Sequence, residues 1–246
     1  MIAPRPILTL VAALWTAFAA PMAAGMELRS APVAVVELFT SQGCSSCPPA
    51  DALLARLGER EDVVVLAYHV DYWDYIGWED TFASPAHTEL QRAYALSWGK
   101  NRVYTPQMVV NGAHGLPGSH EDEVLNLVGQ SQLPVAIDLE MTGEGVVTAS
   151  AGPNAAGGEA IVWLVTYKSG ATVDVERGEN SGRALSYSHI VTGRQPIGMW
   201  SRETGMEINI PCAEALGTEN DGAAILIQEK NGDLPGAVIG AAAFEI

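Results

Sequence analysis

Basic residues are scarce in this sequence of 246 residues: 13 Lys and Arg stand against 29 Asp and Glu, a formal charge of −16. A surface of that charge repels phosphate backbones, so we expect no nucleic-acid binding. Charged residues make up only 17% of the chain and hydrophobic residues 48%, which excludes a disordered protein. The sequence contains no glycine-rich phosphate-binding loop and no Ser, His and Asp order with supporting context.

Long apolar runs are confined to the N-terminus. Residues 1–6 carry one Arg and no acid, residues 7–20 are apolar, and small residues follow. This layout predicts a secretory signal peptide over residues 1–25; the alternative is an uncleaved anchor, for which the apolar run is short. No later segment is apolar for long enough to span a membrane. We therefore expect a secreted or periplasmic protein with no membrane association after signal cleavage.

Cysteine is also rare, since the chain contains only Cys44, Cys47 and Cys212. A single CxxC pair falls short of the four ligands that a structural zinc site usually needs. A disulfide that closes so short a loop adds little stability, so the pair suits chemistry better than cross-linking. Cys212 has no obvious partner and is interpreted as a small buried hydrophobe.

Hydrophobic periodicity and turn signals predict an α/β domain over residues 30–131 with the order βαβαββα. A strand, a helix and a strand with short links imply a parallel pair at its start. The predicted strands are residues 33–39, 63–68, 107–110 and a short one from Ala113, and the helices are residues 50–59, 85–98 and one ending near Val128.

Residues 135–246 have a different texture, in which short strand-like runs alternate with glycine-rich turns. Regularly spaced strands of this kind predict a small antiparallel β-sandwich-like domain after the α/β domain. The predicted runs are residues 135–140, 146–151, 160–167, 184–191, 223–228 and 237–244.

The Cys44-Ser45-Ser46-Cys47 motif lies between a predicted strand and a predicted helix. The helix dipole and unpaired N–H groups at a helix start stabilise a thiolate, and the pKa of such a thiol falls to roughly 3.5–7.5. Cys44 is then predicted to attack a disulfide and Cys47 to resolve the mixed intermediate. The alternative is an inert structural disulfide.

Copper is the one metal that the motif leaves open. Two soft thiolates and an imidazole suit it, and His69 follows the second predicted strand, at the sheet edge where α/β folds place ligands. We expect no cofactor beyond a redox-active Cys44–Cys47 disulfide, with a copper site on Cys44, Cys47 and His69 as the alternative.

Tyr104-Thr105-Pro106-Gln107 precedes the third predicted strand. The CxxC after the first strand and an X-Pro before the third resemble the thioredoxin superfamily. That resemblance implies a cis peptide before Pro106, beside the sulfurs, with Thr105 at the adjoining position. It also implies a buried acid near the CxxC, for which Glu37 is the nearest match, one residue out of phase with the usual spacing.

Longer motifs give a closer resemblance. Residues 36–51 (VELFTSQGCSSCPPAD), residues 68–73 (YHVDYW) and residues 104–112 (YTPQMVVNG) are similar to the secreted family catalogued as domain of unknown function 1223. Residues 172–175 and 177–180 in the second half also fit. The resemblance implies a thioredoxin-like domain with an appended β domain, and it supplies no substrate.

Aromatic residues cluster in the loop after the second predicted strand. Tyr72, Trp73 and Trp78, with His69, are predicted to line a substrate groove that accepts an apolar peptide segment. The alternative is that they only bury the loop. The charged turn at residues 177–180 is predicted to dock the β domain onto the α/β domain.

Together these features predict a thiol–disulfide oxidoreductase that acts on thiols and disulfides of exported proteins and needs a redox partner. One alternative is a copper-binding or copper-delivery module. A second is a non-catalytic binding module in which the disulfide is structural and the β domain binds the ligand.

Overall fold

The structure, a computed structural model, describes residues 25–143, 145–155 and 158–246. The predicted signal peptide lies almost wholly outside the described residues. None of the helices within the described ranges has the length and apolar character needed to cross a membrane. The described chain is a mixed α/β protein with a nine-stranded sheet, a three-stranded sheet and four helices.

The first half has the predicted order βαβαββα. Strand β2 pairs parallel with β3 and antiparallel with β4, and β5 extends the sheet beyond β4. This arrangement is compatible with a thioredoxin-like fold. The elements are β2 (Ala34–Thr40), α1 (Pro48–Gly58), β3 (Val63–His69), α2 (Pro85–Ser97), β4 (Gln107–Val110), β5 (His114–Pro117) and α3 (Glu121–Gln130).

Local sequence explains several boundaries of these elements. Strands β2 and β3 are buried along their whole length, as expected for apolar, β-branched runs in the centre of a sheet. Helix α2 begins after Ser84, whose side chain accepts a hydrogen bond from the Ala86 N–H, with Pro85 at the first helical position. The β4–β5 turn contains Asn111 with a φ of 50°, and the Asn111 Oδ1 accepts the Val35 N–H at 2.7 Å.

The second half is antiparallel and shares its large sheet with the first. The nine strands lie in the order β1-β12-β11-β8-β9-β3-β2-β4-β5, and the junction between the halves is one pairing of Ala67 with Ile190. The elements outside the first half are β1 (Glu27–Ser30), β6 (Asp138–Met141), β7 (Val146–Ala151), β8 (Ala160–Val175), β9 (Arg183–Trp200), β10 (Met206–Pro211), α4 (Cys212–Leu216), β11 (Gly222–Asn231) and β12 (Leu234–Glu245).

The large sheet has distinct cores on its two faces. One face of β2 and β3 packs against α1 and α3, whereas the other face packs with α2 and the β11–β12 hairpin. A third core lies between the small sheet, ordered β10-β7-β6, and the second half of the large sheet. This face-to-face arrangement of two antiparallel layers is the predicted sandwich-like part.

Strands β8 and β9 differ most from the predicted ranges. Strand β8 was predicted to end near residue 167 and strand β9 near residue 191. The paired segments instead reach Val175 in β8 and Trp200 in β9. Alternating exposed residues replace the apolar run in the extension of β8, so hydrophobicity alone underestimates its length. The extension carries the β8–β9 connection past the sheet to the start of α1, where Asn180 contacts Cys44.

Candidate functional site

The two cysteines of the CxxC motif form a disulfide at the start of α1. Cys44 and Cys47 have a Cα–Cα separation of 5.4 Å, and Cys47 is the N-cap residue of the helix. Pro48 and Pro49 occupy the first helical positions and carry no N–H. The Ser46 hydroxyl lies 3.4 Å from Cys44 Sγ and can donate a hydrogen bond to a thiolate there.

Neither cysteine is accessible in this structure. Cys44 and Cys47 are 0% exposed, whereas Ser45 and Ser46 between them are exposed. Residues 176–182, which connect β8 to β9 and which we call the hairpin tip, contact the CxxC segment. Asn180 of the tip donates from Nδ2 to the carbonyl oxygens of Gln42 and Cys44 at 2.9 and 3.0 Å. The charged turn that was predicted to dock the two halves is therefore in contact with the disulfide segment.

The predicted groove residues brace the loop that follows β3. Trp73 Nε1 donates to Thr105 Oγ1 at 2.7 Å, and Trp78 Nε1 donates to Gln42 Oε1 at 2.8 Å. Trp73 also lies against Gly43, where an added Cβ would come within 3.1 Å of the tryptophan Cβ. Its neighbour Tyr72 donates to a glutamine on α2. These side chains connect the CxxC segment to the loop before β4 and do not form an open wall.

Pro106 lies beside the start of α1. The Thr105–Pro106 peptide is cis. A Cβ added at Gly118 would lie 2.9 Å from Ala50 Cβ and 3.2 Å from Pro106 Cβ, which locates the proline close to the first turn of α1. The structure thus brings Cys44, Cys47, Thr105 and Pro106 to one end of the sheet.

A group of buried polar side chains lies under the CxxC segment on the α1 face of the sheet. We call Thr40, Asp51, His69, Asp80 and Tyr187 the polar cluster. Thr40 Oγ1 donates to Asp51 Oδ1 at 2.8 Å, and His69 Nδ1 lies 2.8 Å from Asp80 Oδ2. The Tyr187 ring packs edge-on against the imidazole of His69 with centroids 4.7 Å apart.

Two atoms of the polar cluster lack hydrogen-bond partners among the described residues: His69 Nε2 and the Tyr187 hydroxyl. Burial raises the pKa of Asp51 from 3.8 to about 7, because desolvation outweighs the favourable charge of His69 and the Thr40 hydrogen bond. Burial also raises the pKa of Tyr187, with further contributions from the charges of Asp51 and Asp80. Asp51 is therefore a buried acid that exchanges a proton near neutral pH.

Glu37 lies on the other face of the sheet from the polar cluster. Its neighbours Val36 and Leu38 pack with α1, whereas Val35 and Phe39 belong to the core on the α2 face, and side chains alternate along a strand. Glu37 Oε2 accepts the hydroxyl hydrogen of Tyr94 at 2.6 Å. Burial raises the pKa of Glu37, but α1 and its disulfide are across the sheet from this carboxyl group.

The residues proposed for copper do not form a preassembled site. Within residues 25–143, 145–155 and 158–246, no three His, Cys, Asp or Glu side chains are grouped so that they could hold a metal ion. Cys44 and Cys47 are joined to each other, and His69 is 0% exposed. A site on these residues would require reduction of the disulfide first.

Sequence reasoning missed Asp51 and Ser46 as site residues. Asp51 follows Cys47 by four residues, so the helical period already placed both on one face of α1. Glu179 and Asn180 lie in the turn that was predicted only to dock the two halves. The contact of Asn180 with Cys44 spans 136 residues of sequence and depends on the length of the β8–β9 hairpin.

The fold and the site together define a mixed α/β protein with a buried CxxC disulfide at the start of a helix. The chain belongs to the family described as Protein of unknown function (DUF1223), which matches residues 35–228 and confirms the resemblance seen in the sequence. It is similar to the crystal structure of protein AGR_C_4864 from Agrobacterium tumefaciens, with a TM-score of 0.76 and 37% sequence identity. That similarity covers 87% of this chain and 94% of the other. A comparison with functionally curated proteins gave no match.

Proposed function

We propose that this protein is a thiol–disulfide oxidoreductase that acts on exported proteins through Cys44 and Cys47. The observation that carries the proposal is the position of the disulfide, which caps α1 directly above a buried acid. A disulfide between residues three apart constrains little of the unfolded chain, and extended sheet pairing already stabilises this region. A structural role therefore explains the pair poorly.

The exchange proceeds in two balanced steps. A partner thiolate attacks Cys44 Sγ, the Cys44–Cys47 bond breaks, and Cys47 leaves with the electron pair as a thiolate. A second partner thiolate then attacks the partner sulfur of the mixed disulfide and releases Cys44. The partner dithiol is oxidised to a disulfide and the CxxC pair gains two electrons; the reverse sequence oxidises the CxxC pair.

We assign to Asp51, rather than to Glu37, the proton that Cys47 takes up. Asp51 lies one turn beyond Cys47 on the buried face of α1, and its pKa of about 7 allows both protonation states at neutral pH. Glu37 is separated from the sulfurs by the sheet. The other charged and aromatic members of the polar cluster, His69, Asp80 and Tyr187, surround that carboxyl group.

A stable disulfide also supports the proposed location. Disulfides persist in secreted and periplasmic proteins and are rare where glutathione and thioredoxin keep thiols reduced. We therefore propose that the chain is exported by its N-terminal segment and works outside the cytoplasm, where its partners are the thiols and disulfides of other exported proteins.

The decisive experiment is the reduction potential of the Cys44–Cys47 couple, measured by alkylation and mass spectrometry in a graded glutathione series. Exchange proteins have midpoints between about −120 and −270 mV, and the proposal expects a value in this range. A midpoint well below about −300 mV identifies a structural disulfide and refutes the proposal. Cys44→Ser should abolish reduction of a disulfide-linked reporter peptide, whereas Cys212→Ser, at the buried free cysteine, is the matched control.

Copper binding by the reduced protein is the second candidate. It is favoured by His69, whose Nδ1 is held by Asp80 while Nε2 has no partner among the described residues. Metal-binding histidines commonly have this carboxylate contact on the other ring nitrogen. Titration of the reduced protein with Cu(I) should give one tight site that Cys44→Ser abolishes and His69→Ala weakens; unchanged affinity in both variants would exclude this candidate.

A further inference from the structure

The hairpin tip is an extension of the second half that reaches the redox centre of the first. Val175 and Arg183 form the last pair of the β8–β9 ladder, and the Gly182 N–H donates to the Val175 carbonyl at 2.7 Å to close the turn. Gly178 has a φ of 77°, a conformation that favours glycine, and its Cα faces Ile76 and Trp78 of the loop after β3. The turn geometry thus directs the tip onto the CxxC segment.

Polar contacts hold the tip in place. Asn180 is 0% exposed; its Nδ2 group donates to two carbonyl oxygens of the CxxC segment, and its Oδ1 accepts Arg183 Nη1 at 2.6 Å. Glu179 Oε2 accepts the Ser45 hydroxyl hydrogen at 2.6 Å. The Ser45 N–H lies 3.4 Å from the same carboxylate oxygen.

Few apolar contacts support these hydrogen bonds. Glu176, Arg177, Glu179 and Ser181 are all exposed, and within the tip only Asn180 is buried. Segments with little buried apolar surface open at low free energy without unfolding the rest of the protein. The part of β8 up to Tyr167, by contrast, is anchored in the large sheet by its pairing with β11.

We propose that the hairpin tip is a lid that must lift from the CxxC segment before any thiolate can reach Cys44 Sγ. The inference rests on the proposed exchange function for its biological meaning, because the lid controls access of the partner thiol. In the closed state Asn180 occupies the Gln42 and Cys44 carbonyl oxygens. When the lid lifts, these two acceptors become free for the backbone N–H groups of an extended polypeptide partner.

Glu179 adds an electrostatic component to the closed state. Its carboxylate binds Ser45, the residue next to Cys44. A negative charge at that position opposes the formation of the Cys44 thiolate that the second exchange step releases. Lifting the lid therefore exposes the sulfur and removes an unfavourable charge in the same movement.

The test is the rate at which dithiothreitol reduces the oxidised full chain, followed by quenched alkylation and mass spectrometry. At a fixed dithiothreitol concentration, Asn180→Ala should accelerate reduction by about tenfold, because it removes two hydrogen bonds of the closed lid. Glu179→Gln should accelerate it by about threefold, because it replaces the charge-assisted hydrogen bond with Ser45 by a weaker neutral one. Asn126→Ala, on the exposed surface of α3, is the control and should leave the rate unchanged. Circular dichroism and a urea midpoint establish that each variant is folded.

Rates within twofold of the wild-type protein in both folded lid variants would overturn the lid. If Asn180→Ala fails to fold, Glu179→Gln decides, since Glu179 is exposed and its substitution leaves the buried contacts intact. The midpoint potential separates this inference from the proposed function. If the variants are reduced faster but the midpoint potential is typical of structural disulfides, the lid is supported and the exchange function is refuted. If the rates are unchanged but the midpoint potential is typical of exchange proteins, the exchange function is supported and the lid is refuted.

Discussion

Replacing Asp51 by Asn tests the buried acid without disturbing its shape. Asn has the size of a protonated aspartic acid, and its carbonyl oxygen can still accept the hydrogen bond of Thr40 Oγ1. The substitution removes only the ability to ionise. Because Asp51 is 6% exposed and lies among His69, Asp80 and Tyr187, any cost of its negative charge should appear directly in the pH dependence of stability.

The sign of the effect follows from the direction of the pKa shift. In the unfolded chain Asp51 loses its proton near its ordinary pKa of 3.8, but in the folded protein it keeps the proton up to about pH 7. The folded state therefore binds more protons between these values, and its stability falls as pH rises through this window. A shift from 3.8 to about 7 corresponds to about 4 kcal/mol, as an upper limit.

The assay is urea unfolding of the oxidised wild-type protein and of Asp51→Asn at intervals between about pH 3 and about pH 8, which brackets the window from 3.8 to about 7 by about one unit on each side. The free energy of unfolding of the variant minus that of the wild type should increase by up to about 4 kcal/mol across the window and then level off. Asp174→Asn, at an exposed position of β8, should give a flat difference. A flat difference for Asp51→Asn as well would refute the buried-acid reasoning.

Two further predictions concern the connections around the site. Trp73→Phe and Thr105→Val each remove one partner of the Nε1–Oγ1 hydrogen bond, and a double-mutant cycle of urea stabilities should give a coupling of about 1 kcal/mol; a coupling near zero would mean that the contact does not brace the loop. Asn111→Ala should lower the free energy of unfolding by about 2 kcal/mol, because it leaves the Val35 N–H without its acceptor and places alanine at positive φ. Asn111→Gly, which relieves only the φ cost, should recover part of this loss.

Much of the first half could be predicted from the sequence. Strands such as Val63–His69 have a continuous apolar pattern, and the start of helix α2 is predicted by the N-cap Ser84 and by Pro85 at the first helical position. Every element of the βαβαββα order depends on local signals of this kind. The pairing of the halves into one sheet had no local signal, since the strands β3 and β9 meet at one registered pair, Ala67 with Ile190, that is distant in sequence.

The site divides in the same way. Cys44, Cys47, Thr105 and Pro106 were found because they form short motifs. The buried acid was assigned to Glu37 because it alone stood near the expected position in the strand, but strand alternation turns that side chain toward α2. The acid on the α1 side of the sheet, Asp51, comes from the helix. The turn that contains Asn180 was predicted to dock the two halves, but its contact with Cys44 could not be predicted without knowing how far the β8–β9 ladder extends.

Strand β1 has a consequence for the order in which the protein forms. Its partner is β12, so Glu27 is matched with Glu245 and Ser30 with Ala242. A chain that emerges with its N-terminus first must hold the β1 segment unpaired until nearly all of the remaining described residues have appeared. Such distant pairings form late, after the βαβ unit has its local contacts. The β1 segment therefore stays unpaired until β12 has emerged. A truncation within β12 removes the partner of β1 and one of the two partners of β11 at once.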